Sequence, residues 1–122
     1  MNTATKAPLI VVSHSPYEGT VARSAIDAAL SFAVFGQQPN LLFVGNGVSC
    51  LRADQSPDGI GKKSLRKLID SLPLYDIERV YVDGSALASA AATEEDLPTF
   101  AKALDQDELF ALRQAASCVL SF

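Results

Sequence analysis

The reactive chemistry of this 122-residue sequence rests on two thiols, one imidazole and one acidic strand end. Cys50 lies in Gly47-Val48-Ser49-Cys50-Leu51, and Cys118 opens the terminal run Cys118-Val119-Leu120-Ser121-Phe122. A thiolate becomes a nucleophile or a sulfur carrier when it is accessible and its pKa is lowered, as at a helix N-terminus. A buried free cysteine is otherwise an ordinary small core residue, and the apolar neighbours of both thiols suit that role equally. The two are far apart and no Cys-x-x-Cys occurs, so neither a metal site nor a disulfide framework is expected.

His14, the sole histidine, falls in the loop His14-Ser15-Pro16-Tyr17-Glu18-Gly19-Thr20. It can act as a base or orient a substrate, but its loop shows no evident partner for a catalytic dyad. A loop histidine bonded to backbone or water is the simpler reading. No Gly-x-Ser-x-Gly elbow is present, which argues against an independent hydrolase. Gly19-Thr20 would place free N–H groups of a helix start at the carboxyl end of a strand, where α/β sheets bind anions. Neither the phosphate-loop nor the dinucleotide fingerprint accompanies it, so no cofactor is expected.

The elements that must hold these groups alternate along the chain. Pro8 to Ser13 and Asn40 to Val44 are short apolar runs of the kind found in strands buried on both faces. Between them a helix starts at Thr20 as N-cap, carries Val21, Ala25, Ala28, Ala29, Phe32 and Phe35 at helical spacing, and stops at Gly36. Gly45-Asn46-Gly47 closes the second strand, and Ser56-Pro57-Asp58-Gly59 is turn chemistry. Ile60 to Leu72 reads as an amphipathic helix with Leu65, Leu68, Ile69 and Leu72 on one stripe and Lys62, Lys63, Arg66 and Lys67 opposite. Pro73 ends it in a turn, Leu72 to Ile77. Glu78 to Asp83 is a third strand, Ser85 to Ala91 a short helix, and Leu97 to Leu104 a fourth strand. Asp105 to Glu108 resembles a capping box opening a last helix through Ala116, and Cys118 to Phe122 forms a fifth strand. The expectation is a single α/β domain over residues 1–122, with a mostly parallel five-stranded sheet between helices in three layers.

Bulk properties narrow the class. Apolar residues make up 48% and charged residues 20%, with a mean hydropathy of +0.18. Either a sheet buried on both faces or an apolar surface kept for a partner subunit accounts for that. The net charge of −4 argues against direct nucleic-acid binding. No signal-peptide-like or membrane-spanning apolar run occurs, so a soluble cytoplasmic protein that does not engage a membrane is expected. The basic cluster on the second helix and the acidic residues after position 80 suit a solvated surface, or alternatively steering between subunits.

Pro16-Tyr17-Glu18-Gly19-Thr20, Arg23 and Asp27, Gly45-Asn46-Gly47-Val48, Gln55-x-Pro57-Asp58 and above all Leu74-Tyr75-Asp76-Ile77-Glu78 resemble the TusC/DsrF family, in order and over nearly the whole chain. The resemblance implies a DsrEFH-like fold of flavodoxin-like appearance and a subunit of TusBCD-type or DsrEFH-type sulfur-relay complexes. Its partners would be TusB-like and TusD-like (DsrH-like and DsrE-like) chains in a hetero-oligomer. TusA-like and TusE-like carriers would be indirect partners, on a route to 2-thiouridine at the tRNA wobble position. Dsr versions serve sulfur oxidation. In the active subunit of such complexes the sulfur-carrying cysteine ends a strand before a short helix, and by pattern Tyr81-Val82-Asp83-Gly84-Ser85 occupies that place here. Asp83 cannot hold a persulfide, but it can cap the following helix. The implied role is therefore non-catalytic, with Leu74, Tyr75 and Ile77 as interface anchors. The rival readings are a self-sufficient carrier using Cys50 or Cys118 and a flavodoxin-like binder of a small ligand.

Overall fold

Leu9-Ile10-Val11-Val12 forms β1 (Leu9–Val12), and all four residues are buried, as a central parallel strand requires. The computed structural model describes residues 7–15, 19–51, 65–87, 95 and 97–122. Its other strands are β2 (Asn40–Phe43), β3 (Val80–Asp83), β4 (Ala101–Leu104) and β5 (Val119–Ser121). They form one sheet in the order β4-β3-β2-β1-β5, and every pairing is parallel. The helices are α1 (Val21–Val34), α2 (Leu65–Asp70) and α3 (Gln106–Ala115).

Strand alternation sends side chains to two cores. Ile10, Val12, Leu41, Phe43, Val80 and Val82 meet Ala22, Ala25, Ile26 and Ala29 of α1 and Leu65 and Ile69 of α2. Leu9, Val11, Leu42 and Leu104 meet Leu109 of α3, with Val44, Tyr81, Leu112 and Ala116 packed against them. Each fully buried Leu, Ile or Phe contributes about 1.5–3 kcal/mol by leaving water, so the strand interiors carry most of the stabilisation. The three-layer α/β arrangement expected from the sequence is present, with a sheet that is wholly parallel.

Several boundaries differ from expectation for local reasons. Thr20 occupies the N-cap of α1, yet its side chain makes no capping bond. At φ −112 and ψ 7 it lacks the extended backbone that aims a cap hydroxyl at the next N–H groups. Gly36 does end the helix: at φ +82 it supplies the left-handed residue of a Schellman motif. The Gly36 N–H donates to Ala33 O at 3.0 Å and the Gln37 N–H to Phe32 O at 2.9 Å. Phe35 is the C-cap and 82% exposed, so it does not extend the apolar stripe. The fourth strand starts at Ala101 rather than Leu97 because a turn precedes it, closed by the Ala101 N–H on Pro98 O. The third begins at Val80, and Gly84–Ala86 is a single 3-10 turn. The capping box at Asp105 forms in full, with Asp105 accepting from the Glu108 N–H and Glu108 from the Asp105 N–H. Pro16 to Glu18, the turn Ser56 to Gly59, Gln55, Lys62, Lys63 and the ends of two expected helices (60–64 and 88–91) lie outside the described residues.

Gly45–Leu51 coils as a 3-10 stretch directly across the end of β1. Val12 O accepts from the Val44 N–H at 3.0 Å, and Gly47 lies flat against that same carbonyl. A Cβ on Gly47 would overlap the Val12 carbonyl and stand 3.1 Å from Ser13 N, all of it backbone that cannot step aside. Gly47→Ala is therefore expected to cost about 3 kcal/mol or more, at or beyond the upper end of ordinary overpacking. Urea denaturation checks this, against Gly36→Ala as a control for backbone strain alone.

Candidate functional site

In a parallel sheet ligands gather outside the strand carboxyl ends, where neighbouring strands send their connections to opposite faces. That place lies between β3 and β4 here. The chain leaving β3 packs Ala86 and Leu87 on the α1 face, and returns through Leu97 and Phe100 on the same face. The chain leaving β4 enters α3 on the other face. Asp83 is the last residue of β3 and stands at the mouth of this crevice.

The geometry around Asp83 is that of a cap. Its Oδ1 accepts from the Ser85 N–H at 3.0 Å, from the Ser85 hydroxyl at 2.7 Å and from the Gln106 amide at 3.4 Å. The last contact ties the end of β3 to the first turn of α3. Gly84 permits the close approach, since a Cβ there would come within 3.2 Å of Leu104 O. The site thus offers three donors converging on one acceptor. A carboxylate satisfies them, but it has no nucleophilic sulfur and no proton to give at neutral pH.

The thiols are elsewhere. Cys50 is buried in the 3-10 stretch, with its Sγ 3.5 Å from His14 O. Cys118 is exposed, but it precedes β5 at the amino end of the sheet, the rim opposite Asp83. The structure therefore brings His14 and Cys50 together only through a backbone carbonyl, and brings neither thiol to the β3–β4 crevice. His14 itself is exposed. Among the described residues no group of three His, Cys, Asp or Glu is placed to hold a metal, and no helix is long and apolar enough to cross a membrane. A shallow groove of about 470 Å³ runs along β4 between Glu95 and Ala103, away from all of these groups.

A second feature is apolar and exposed. Leu72 and Ile77 are both fully buried, and the Ile77 N–H donates to Leu72 O at 3.1 Å. The four residues between them close into a 3-10 turn that Asp76 ends at φ +66, a left-handed conformation that non-glycine residues adopt at a cost of about 1–2 kcal/mol. Leu74 and Tyr75 are thereby lifted into solvent, at 83% and 53% exposure. Ile77, expected as a third anchor, belongs to the core and presents nothing to a partner. The turn packs on α1, whose C-terminal Val34 and Phe35 are 79% and 82% exposed. Their sequence signal was available: both fall off the buried stripe Ala22-Ala25-Ile26-Ala29. Four large apolar side chains exposed on touching elements exceed what a monomer scatters singly over its surface.

The basic helix is partly structural. Arg66 is bonded to Asp70 at 2.9 Å and to Leu51 O at 2.6 Å, so it pins α2 to the 3-10 stretch instead of facing solvent freely.

Comparison with known proteins places these features in a lineage. The sequence profile described as the DsrE/DsrF-like family matches residues 6–122. A TusC homologue from Vibrio parahaemolyticus is 32% identical over 88% of this chain and 92% of its own length. One from Pseudomonas aeruginosa is 30% identical over 93% and 95%. The intracellular sulfur oxidation protein DsrF of Allochromatium vinosum is 31% identical over 80% of this chain and 71% of its own. Among solved structures, the ychN protein of E. coli superposes with a TM-score of 0.82 at 15% identity, covering 97% of this chain and all of that one.

Asp83→Ala removes a cap acceptor from three donors and is expected to lower stability by about 1 kcal/mol. Asp83→Asn keeps an acceptor oxygen and should lose only a few tenths. Thermal or urea unfolding of the pair checks whether capping is what the carboxylate does.

Proposed function

This chain belongs to the DsrE/DsrF-like family, and from that we propose that it is a non-catalytic, TusC-like subunit of a cytoplasmic sulfur-relay complex. In this reading it supports persulfide transfer toward 2-thiouridine at the tRNA wobble position without carrying the sulfur. The observation that carries the reading is Asp83. It stands at the strand end where sulfur-carrying relatives have cysteine, and its oxygen is engaged as a cap. A carboxylate cannot bond sulfane sulfur, and neither Cys50 nor Cys118 lies at this crevice.

The exposed patch supplies the complementary half. Val34, Phe35, Leu74 and Tyr75 give an apolar surface of the kind that anchors a homologous TusB-like or TusD-like chain, aromatic residues being the usual hot spots. The TusC homologues match over more of their own length than DsrF does, which favours the tRNA branch over sulfur oxidation. TusA-like and TusE-like carriers would dock on the assembled surface rather than on this chain alone.

The test is co-expression of the tagged chain with its two paralogues. A stable hetero-oligomer is expected. Phe35→Asp or Leu74→Asp should weaken it by more than about thirtyfold, the effect of losing one hot spot, while Asp83→Ala leaves assembly intact. A chain that stays apart from both paralogues contradicts the proposal. Sulfur loading gives a second check. A thiolate at position 83 would attack the outer sulfur of a donor persulfide, gain one sulfur of about 32 Da, and release the donor as a thiol. Asp83→Cys should acquire that mass on intact-protein mass spectrometry, and the unmodified chain should not. Loading of the unmodified chain that disappears in Cys118→Ser or Cys50→Ser favours the self-sufficient carrier instead.

A further inference from the structure

The two outer strands of the sheet are protected very differently. Pro98 precedes β4, and Lys102 stands on it with its side chain 68% exposed, 3.9 Å from Glu108. Proline and lysine on a rim are what keep a strand from pairing with another chain. β5 has no such guard. Cys118-Val119-Leu120-Ser121-Phe122 contains no charge and no proline, and all three strand residues are exposed.

The backbone pattern shows which groups are on offer. The Leu9 N–H donates to Cys118 O at 2.9 Å, the Phe122 N–H to Val11 O at 2.8 Å, and the Ser13 N–H to Phe122 O at 2.8 Å. Peptide groups point alternately to the two sides of a strand, so the even-numbered residues serve β1. Val119 and Ser121 present their N–H and C=O groups outward.

We propose that β5 pairs antiparallel with β5 of a second copy of this chain, about a two-fold axis through Leu120, joining the two sheets into one. The register is self-complementary. With the axis at Leu120, Val119 of each copy stands opposite Ser121 of the other, and all outward groups are satisfied in two hydrogen-bonded pairs. The two Leu120 residues then face each other as a non-hydrogen-bonded pair, the closer kind, with Cα atoms about 4.5 Å apart. A shift by one residue would set outward groups against inward ones. An isologous contact of this kind closes at two copies and does not propagate. Each copy carries −4, and the pairing strip is a stretch where like charges do not meet. The proposal is independent of the relay reading and of the Leu74–Tyr75 patch.

Sedimentation on the order of 100 μM, where a contact smaller than about 800 Å² per partner should still associate, is expected to show a dimer. Leu120→Lys and Ser121→Pro should reduce the dimer fraction at least tenfold while leaving the circular dichroism unchanged. In a Cys118→Ser background, Leu120→Cys should close a disulfide across the axis on mild oxidation. Val119→Cys should not, because its two copies lie beyond the ~7 Å Cα reach of a disulfide. A monomer under these conditions overturns the proposal, as does crosslinking of Val119→Cys as readily as Leu120→Cys. Loss of a TusB-like or TusD-like partner on Leu120→Lys, with no self-association, assigns the edge to that partner and overturns it equally.

Discussion

β1 to β4 are laid down in one direction across the sheet, and β5 then returns to the far side of β1. Parallel crossovers are right-handed, because a right-twisted strand feeding a right-handed helix packs back onto the sheet only that way. The connections through α1 and α2 move one way and lie on one face. The connection through α3 moves the other way and must lie on the opposite face. That one reversal covers both faces of β1 and β2, which is why Leu9, Ile10, Leu41, Leu42 and Phe43 are all at zero exposure. It also parts the chain at the carboxyl ends of β3 and β4 and opens the crevice there.

The crevice fixes the character of position 83. A residue ending β3 faces the first peptide of the following 3-10 turn on one side and the first turn of α3 on the other. Asp83 reaches both, through Ser85 and Gln106. The carboxylate therefore links two elements that the crossover rule sends to opposite faces. Asp105, one strand over, does the equivalent for α3 alone through its capping box. Two acidic residues at adjacent strand ends thus hold the rim in place by hydrogen bonds to backbone, with no charge partner required.

Much of this was legible in the residues because the signals are local. β1 and β2 are continuous apolar runs, Gly36 can take the left-handed helix stop, and Asp105 and Glu108 have the capping-box spacing. The errors arose where a local signal is overruled by what surrounds it. Thr20 is the right residue type for a cap in the wrong backbone conformation. Ile77 sits in the same motif as Leu74 and Tyr75, yet its N–H bond to Leu72 draws it into the core while the turn lifts the other two out. Phe35 has helical spacing, but the helix has already unwound when the chain reaches it. The pairing of Asp83 with Gln106 spans 23 residues and depends on strand order, which periodicity does not encode.

The choice of aspartate at the strand end follows from the donors rather than from any reaction. Ser85 N–H, the Ser85 hydroxyl and the Gln106 amide converge on one point. A thiolate there would be stabilised by them, since hydrogen bonds to an anionic sulfur favour its charged form. Delete the sulfur and the donors remain, and leaving them without an acceptor costs more than a hydrogen bond normally contributes. Alanine would leave them unpaired. A serine oxygen is set one atom closer to the backbone and would bring its own proton to place. A carboxylate supplies a fixed negative acceptor that projects farther from the backbone than a hydroxyl. A subunit that gives up the sulfur chemistry while keeping the strand-end architecture is therefore expected to carry an acid at this position, and this one does.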